Sequence, residues 1–401
     1  MSKKELSEEE LAKKKKRKPL KITLISIASV IGAVVIAAGS YVVYVIASYN
    51  RIGNVALDIT HKASQEKMAT GTTYSATSYN IGFGAYSQNY TFFLDTGYDD
   101  AGNETCGHYS KALSKEDCAF NTDGAIQTIK NLHPTFAAFQ EVDTNSTRSY
   151  HINQDDAIQE AFGNYDHTHA INFHTAFLPY PLYDMHGKVN AGLTTLSSFK
   201  VQEAERKEYT VSSSLSRLFD LDRCFTYQKV GVENGKSFYF VNHHMSAYDS
   251  GGTIRAKQVE EMNAFLKERK DNGDYVVLAG DFNHDLLTNN PDFSYDATAN
   301  RAFNMTKKTP DWVSFYFDDS HKSPLIDGYK VVASDNYPTC RNNDIEWEPG
   351  NTFVCAIDGF VVSDNIEVVS HQNIQTKNGN KHLDGFAYSD HDPTMLEFKL
   401  L

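Results

Sequence analysis

Cysteine is scarce in this sequence, and its scarcity excludes two classes of protein. Only five of the 401 residues are cysteine, too few for a scaffold built on disulfides. No two of them form the C-x-x-C pair typical of structural zinc sites. Core-forming residues, by contrast, are plentiful: 41% of the chain is hydrophobic and 12% is aromatic. The composition therefore excludes wholesale disorder and fibrous repeats and predicts a globular protein.

Positive charge is also scarce beyond the N-terminus. The formal net charge is −13. Residues 1–21 hold nine Lys or Arg and four Glu, a net of +5, which leaves −18 for the rest of the chain. Such an acidic body repels nucleic acids and anionic lipids at long range. An anionic substrate would have to be held locally, most simply through a bound cation.

One long segment lacks charge altogether. Residues 22–49 contain no charged side chain, and at about 1.5 Å per residue they can cross a hydrocarbon core of roughly 30 Å. The basic run Lys13–Lys18 precedes them, which places the N-terminus in the cytoplasm. A cleaved signal peptide is the alternative, but the apolar stretch is longer than an ordinary signal core. We therefore expect a cytoplasmic tail (1–21), a transmembrane signal anchor (22–49), a stalk (50–73) and an extracytoplasmic domain (74–401).

Two cysteine pairs agree with export from the cytoplasm. Cys106 and Cys118 lie 12 positions apart, and Cys340 and Cys355 lie 15 apart, in polar, turn-rich stretches. A disulfide that closes a loop of this size stabilises a protein by about 3 kcal/mol in the chain-entropy model. We expect both pairs to form disulfides in an oxidising compartment. Cys224 lies in an alternating apolar run and is expected to be a buried thiol.

From residue 74 onward, strand and helix patterns alternate. Residues 74–81, 135–142, 189–197, 224–232, 236–242, 275–279 and 357–362 are strand-like, and 253–270 has the pattern of a long amphipathic helix. A shorter helix is predicted at 123–132, with Asn121, Thr122 or Asp123 as its cap. Two long stretches without periodicity, 83–120 and 286–351, are expected to cover a site. This order predicts a single layered α/β domain.

The predicted strands end in polar groups that a strand interior would not tolerate. The residues concerned are Asn80, Glu141, His244, Asp281, Asn283, Asp358, Asp390 and His391. Strands that each deliver an acid, an amide or an imidazole at one end build a shared polar floor. Such a floor suits Mg²⁺ and a phosphate ester, because Mg²⁺ prefers oxygen ligands and uses one or two carboxylates. A zinc hydrolase would need a close ligand triad, which is not evident in the sequence.

These motifs resemble those of the endonuclease/exonuclease/phosphatase superfamily, which includes abasic-site endonucleases, pancreatic-type deoxyribonucleases and neutral sphingomyelinases. The matching segments are 78–80, 140–141, 242–245, 280–283, 357–358 and 389–391, and G-D-F-N and S-D-H are the most specific of them. Met245 stands where the family has Leu, so that His244 rather than His243 aligns with the motif histidine. The resemblance implies a four-layer α/β/β/α sandwich, here preceded by a single N-terminal transmembrane helix.

The resemblance also implies roles for individual residues. Glu141, Asn80 and Asp390 would hold Mg²⁺, with Mn²⁺ as the alternative. His391 would be the general base, and Asp358 would fix its tautomer, with Asp390 as a second orienting acid. His244 would stabilise phosphate charge or assist the leaving group, Asp281 would orient the attacking water, and Asn283 would donate to a phosphate oxygen. From the sequence itself, Asn190 and Arg223 are further candidates for substrate binding.

The sequence thus predicts a membrane-anchored, Mg²⁺-dependent phosphoesterase outside the cytoplasm, in which water attacks the phosphate ester directly. A nuclease, a sphingomyelinase-like phospholipid phosphodiesterase and a phosphomonoesterase remain open as substrate classes. A non-catalytic exported binding module is the alternative from another class, and loss of motif residues would favour it. The lipid bilayer is the expected partner of residues 22–49. No obligate protein partner is implied, and we expect a monomer.

Overall fold

The structure is a computed structural model that describes residues 8–218, 220–247, 253–287, 303, 310, 325–377 and 384–401. The chain forms two compact units, Met1–Asn50 and Arg51–Leu401. The first unit is a single helix, α1 (Glu8–Ser48). Its segment Lys21–Ser48 is long and apolar enough to cross a membrane, with a mean hydropathy of 2.4. This candidate transmembrane span coincides with the charge-free segment of the sequence.

The second unit is built on two large mixed sheets. The larger sheet has the order β1-β9-β10-β11-β12-β16-β13, with β2 added beside β10. The smaller sheet has the order β17-β18-β3-β6-β8-β7, and two short hairpins, β4–β5 and β14–β15, lie outside both sheets. The strands are β1 (Val55–Ala56), β2 (Lys67–Met68), β3 (Thr73–Asn80), β4 (Thr96–Tyr98), β5 (Glu104–Cys106), β6 (Phe136–Asp143), β7 (Asp166–His174), β8 (Asn190–Ser197), β9 (Glu203–Glu208), β10 (Cys224–Val232), β11 (Ser237–His244), β12 (Tyr275–Asp281), β13 (Tyr329–Val332), β14 (Cys340–Arg341), β15 (Val354–Cys355), β16 (Asp358–Ser363), β17 (Ile366–Asn373) and β18 (Thr394–Leu400).

Three helices complete the layers: α2 (Lys115–Asn131), α3 (Gln154–Ala161) and α4 (Thr253–Asn272). The two sheets face each other across a core that includes Phe136 and Leu396 from the smaller sheet and Phe240 and Val277 from the larger one. Helices α2 and α3 pack on the outer face of the smaller sheet, and α4 packs on the outer face of the larger one. The predicted four-layer α/β/β/α sandwich is therefore confirmed.

The sheet topology brings the polar strand ends together. Strands β3 and β6 are parallel neighbours in one sheet, and β11 and β12 are parallel neighbours in the other. Since parallel strands end on the same edge, their last residues lie side by side in each sheet. In the larger sheet His244 pairs in register with Asp281, and Asp281 pairs with Asp358 of antiparallel β16. One edge of the sandwich therefore carries the polar floor expected from the sequence.

Of residues 50–73, which were expected to be a stalk, residues 51–73 are built into the domain. Strand β1 pairs with β9, and β2 pairs with β10. Arg51 forms an ion pair with Asp222 and another with Glu208, at 3.1 Å. The segment reads as a stalk because its strands are only two residues long and mixed in polarity, so that they carry no recognisable period.

Helix α2 begins earlier than the sequence pattern suggested. Its N-cap is Ser114, whose side chain accepts a hydrogen bond from the backbone N–H of Asp117 at 3.0 Å. Asn121, Thr122 and Asp123, the expected caps, lie inside the helix. The early turns were missed because they bury Cys118, Asn121 and Thr122 rather than large apolar side chains.

Neither of the two expected disulfides is present in the structure. Cys106 is an exposed free thiol and Cys118 a buried one; they lie near different groups, Sγ of Cys106 near O of Phe93 at 3.4 Å and Sγ of Cys118 near O of Phe83 at 3.6 Å. Cys340 and Cys355 stand opposite each other in β14 and β15, but both are free. Cys224 is buried, as expected.

Candidate active site

An imidazole–carboxylate pair occupies the centre of the polar floor. Nδ1 of His391 lies 2.8 Å from Oδ2 of Asp358, and both side chains are buried. The backbone N–H of Asp358 donates to Oγ1 of Thr339 at 3.0 Å, which fixes the start of β16. Burial opposes the imidazolium charge, but the Asp358 carboxylate outweighs it and raises the pKa of His391 well above its usual range. The geometry therefore favours a proton between the two side chains.

Asp281 lies beside this pair, and its carboxylate accepts hydrogen bonds from Asn80 and Asn283. Nδ2 of Asn80 donates to its Oδ2 at 3.0 Å, and the backbone N–H of Asn283 donates to its Oδ1 at 2.8 Å. Nε2 of His391 lies 3.8 Å from Oδ2. Burial raises the pKa of Asp281 to about 7, the positive charge of His391 opposing the rise and the charge of Asp358 adding to it. Burial and the neighbouring carboxylate of Asp358 therefore both disfavour ionisation of Asp281.

His244 is a buried imidazole in its neutral form. Burial lowers its pKa well below the usual value, and the charge of Arg223 lowers it further. Its Nε2 lies 3.4 Å from Oδ2 of Asp281. Among the described residues its Nδ1 has no hydrogen-bond partner, and neither do Nε and Nη1 of Arg223. A neutral imidazole and a buried cation thus border the same part of the floor.

Glu141 and Asp390 supply carboxylates from the smaller sheet and from the loop before β18. Glu141 has a positive φ of 54° and lies where the β6–β8 register shifts between Phe139 and Val142. This bulge turns its side chain out of the sheet alternation. Burial raises the pKa of Glu141, and the charge of Arg148 opposes that rise. Asp390 accepts from Nδ2 of Asn343 at 2.9 Å and from Oγ of Ser389 at 3.2 Å.

The donor set fits a hard divalent cation. Among the described residues, Glu141 receives one hydrogen bond, from Nδ2 of Asn80 at 3.4 Å. Oxygen atoms of Glu141 and Asp390 are the ligands that Mg²⁺ prefers. A second group, Asp281, Asp358 and His391, has ligand atoms within 4.8 Å of one another. Glu141 and Asp390 both line the cavity described next, whereas Asp358 and His391 already bond each other.

A cavity of about 500 Å³ opens above the floor. Glu141, His244, Asp281, Asp390 and His391 line its polar end. An aromatic wall lines the rest, formed by Phe83, Tyr86, Phe92, Phe93, Phe173 and Tyr180. The guanidinium of Arg148 lies 3.8 Å from the centroid of the Phe83 ring and forms a buried pair with Asp143 at 2.9 Å. The cavity therefore combines a charged floor with an apolar wall.

Not every predicted site residue reaches this cavity. Asn283 and Arg223 line it, although Nδ2 of Asn283 already donates to O of Met245 at 2.9 Å. Asn190 does not line it: its Nδ2 donates to Oγ1 of Thr144 at 2.8 Å, so its proposed role in substrate binding is not supported by its position. Asn80 and Asp358 lie behind the residues that line the cavity.

Sequence reasoning missed several residues around the cavity. Arg148, His186, Arg341 and Asn343 all line it. Arg341 and Asn343 belong to one of the two aperiodic stretches that were expected to cover a site, and Tyr86 and Phe92 belong to the other. The length of those stretches was the available signal, since nothing in their local pattern singles out these side chains.

Comparisons with known proteins agree with this fold. A model of the Endonuclease/Exonuclease/phosphatase family matches residues 77–391. Among solved structures, D. rerio TDP2 complexed with single strand DNA product is similar, with a TM-score of 0.50 and 12% identity over 82% of this chain and 99% of that chain. ANGEL2, described as a 2′,3′-cyclic phosphatase, has a TM-score of 0.50 and 14% identity over 86% of this chain and 98% of that chain. A search of the curated proteins finds no match. At these identities the structural likeness shows a shared fold.

Proposed function

The chain belongs to the endonuclease/exonuclease/phosphatase family, and on that premise we propose that it is a membrane-anchored, Mg²⁺-dependent phosphoesterase whose water nucleophile is activated by His391. The observation that carries the proposal is the pair of His391 and Asp358, 2.8 Å apart, beside the carboxylates of Asp281 and Glu141 at one end of a cavity. A buried imidazole that is oriented by a carboxylate is the recurring arrangement of a general base.

Glu141 and Asp390 would hold the metal, with Asn80 supporting Glu141. Their oxygen ligands suit Mg²⁺, and Mn²⁺ is the alternative. When bound, the metal would polarise a phosphoryl oxygen and offset its negative charge. Asn80 donates to both Glu141 and Asp281, so it holds the two carboxylates in fixed positions at the floor.

His391 would take a proton from water through Nε2. Because Nδ1 is bonded to Asp358, the neutral ring carries its hydrogen on Nδ1 and keeps the Nε2 lone pair free. Asp281, 3.8 Å from Nε2, would orient the water between them. No covalent intermediate with the chain is required.

The phosphate would be held by groups on the opposite side of the floor. Arg223 is a buried cation with unpartnered nitrogens among the described residues, and it would offset charge on a non-bridging oxygen. His244, neutral because of its burial, would donate a hydrogen bond to the phosphate or to the leaving group. Asn283, which is fixed by Asp281 and Met245, would contribute its remaining amide hydrogen.

We further propose that residues 22–49 anchor the protein in the cell membrane, with the N-terminus in the cytoplasm and the domain outside. The apolar helix Lys21–Ser48 supports anchoring. The basic residues that precede it in the sequence support the orientation.

The proposal is tested with the full chain in detergent micelles and a panel of phosphate esters. The panel holds bis(p-nitrophenyl) phosphate, p-nitrophenyl phosphate, single- and double-stranded DNA, RNA, sphingomyelin and inositol phosphates, with Mg²⁺ and with EDTA. His391→Ala should abolish turnover in a folded protein. His151→Ala, which changes an exposed imidazole away from the cavity, is the matched control.

Each outcome of this panel is informative. Mg²⁺-dependent release that is lost in the His391 variant and kept in the control would support the mechanism and identify the substrate class. Equal activity in both variants would refute the role of His391. Silence of the folded wild-type chain on every ester would favour a non-catalytic binding module.

A further inference from the structure

An exposed apolar rim adjoins the cavity. We define it by six side chains with their exposed fractions: Leu94 (53%), Phe177 (39%), Tyr180 (58%), Leu182 (77%), Tyr183 (65%) and Met185 (38%). Five of the six belong to one loop, residues 177–185. Soluble proteins rarely expose so many large apolar side chains together, and such a patch usually marks an interaction site.

Hydrogen bonds to neighbouring segments hold the rim in its exposed position. The hydroxyl of Tyr183 donates to O of His108 at 2.9 Å, and the two rings stack at 4.8 Å. The backbone N–H of His186 donates to O of Tyr180 at 3.1 Å, and Oδ2 of Asp184 accepts from the backbone N–H of Ser110 at 2.9 Å. These contacts fix the loop in a conformation in which its apolar side chains are exposed to solvent.

The rim is continuous with the wall of the cavity. Leu94 and Tyr180 line the cavity together with Glu141 and His391, and the ring of Tyr180 lies 5.8 Å from that of Phe93 in the wall. A molecule whose apolar part rests on the rim can therefore place a phosphate on the floor. This arrangement suits an amphiphile better than a polynucleotide, whose backbone is charged along its length.

The chain enters the domain beside the same cavity. Arg51, the first residue of the domain, pairs with Asp222 and binds O of Tyr209. The neighbours of Asp222, Leu221 and Arg223, line the cavity. The candidate membrane span ends at Ser48, only three positions before Arg51. Only residues 49 and 50 therefore separate the candidate span from the domain.

We infer that the apolar rim docks on the surface of a zwitterionic bilayer and that the cavity takes a phospholipid phosphodiester from it. The inference rests on the phosphoesterase function and the anchoring proposed above, and it adds the substrate class. The apolar rim supplies the contact with the lipid, and the charge of −18 on the chain beyond residue 21 disfavours an anionic bilayer. Burial of a leucine side chain in lipid is favourable, so single rim residues should have measurable effects.

Lipid hydrolysis gives the first test. The full chain is reconstituted in vesicles of phosphatidylcholine, phosphatidylethanolamine and sphingomyelin, and water-soluble phosphate products are measured with bis(p-nitrophenyl) phosphate as a soluble substrate in parallel. Leu182→Ser should lower lipid hydrolysis by about tenfold, the loss of roughly 1.4 kcal/mol, and leave hydrolysis of the soluble ester within about twofold. Val369→Ser changes an exposed valine on β17, outside the rim, and should change neither.

A spectroscopic test keeps docking separate from catalysis. Leu182→Trp and Val369→Trp variants are placed in vesicles with brominated phosphatidylcholine, with the wild-type chain and its two tryptophans as the baseline. Quenching above this baseline should occur only for the tryptophan at 182. Equal quenching of the two variants would overturn the docking surface. Hydrolysis of single-stranded DNA or of the soluble ester without any lipid hydrolysis would overturn the substrate class. If the wild-type chain hydrolyses no ester at all, the proposed function fails, and the quenching still decides whether the rim docks.

Discussion

At the scale of single residues, one carboxylate controls the charge of the proposed base. Asp358→Asn removes the negative charge that raises the pKa of His391 and leaves the tautomer unfixed. We expect kcat to fall by a factor on the order of 10³–10⁴, as when the orienting acid of a catalytic triad is neutralised. The measurement is kcat at saturating substrate with circular dichroism as a check of folding.

The same variant makes a prediction about pH dependence. His391 acts as a base in its neutral form, so activity rises as pH increases through its pKa. Asp358 raises that pKa, and its replacement lowers it, so the acid limb of the kcat profile should move to lower pH in the variant. Asp271→Asn, at an exposed carboxylate paired with Lys267, is the control. An acid limb that does not move would mean that His391 is not the titrating base.

Glu141 makes a prediction about the metal that does not depend on activity. Burial raises its pKa, and the positive charge of Arg148 only opposes that rise. Glu141→Gln should therefore be at least as stable as wild type in EDTA, but it should gain little on addition of Mg²⁺. Wild type should gain about 2.7 kcal/mol in unfolding free energy at a Mg²⁺ concentration of one hundred times Kd.

Thermal denaturation with and without Mg²⁺ measures this difference. Glu367→Gln, at an exposed position on β17, should gain as much stability from Mg²⁺ as wild type does. The assignment of Glu141 as a ligand is contradicted if its variant gains the same stabilisation.

At the scale of secondary structure, the strands that carry the site were predictable and the covering segments were not. Strand β10 occupies the predicted residues Cys224–Val232, and β12 begins at the predicted Tyr275. A buried strand can be recognised in the sequence as an apolar run that ends in polar residues. The covering segments depend on distant contacts: Nη2 of Arg341 donates to O of Ser87 at 3.1 Å, across 254 positions of sequence. No local pattern encodes such a contact.

The start of α2 offers a stability prediction at this scale. The Ser114 side chain caps the helix, so Ser114→Ala should lower the unfolding free energy by about 1 kcal/mol. Asp123→Ala, at an exposed position inside the same helix, should change it by less than about 0.5 kcal/mol. Urea denaturation of the two variants measures the difference. A larger loss at Asp123 than at Ser114 would contradict the observed helix start.

At the scale of the whole molecule, charge and hydropathy along the chain predicted more than local patterns did. The apolar helix Lys21–Ser48 follows directly from the charge-free segment. The lining of the cavity, however, comes from separate parts of the chain, which include residues 83–95, 173–186 and 340–343. Which side chains meet there depends on the packing of the complete domain. The sequence therefore predicted that long segments cover the site, but it did not predict that the cover is apolar.

The orientation of the chain in the membrane can be tested with a native thiol. Among the five cysteines Cys106 alone is exposed, and it belongs to the domain that we propose lies outside the cytoplasm. A membrane-impermeant maleimide should therefore label the full-length protein in intact cells, and Cys106→Ser should abolish the labelling. In a Cys106→Ser background, Ser2→Cys in the basic tail should react only after the cells are lysed. Labelling of the tail but not of Cys106 in intact cells would reverse the proposed orientation, and it would place the cavity and its substrate on the cytoplasmic side.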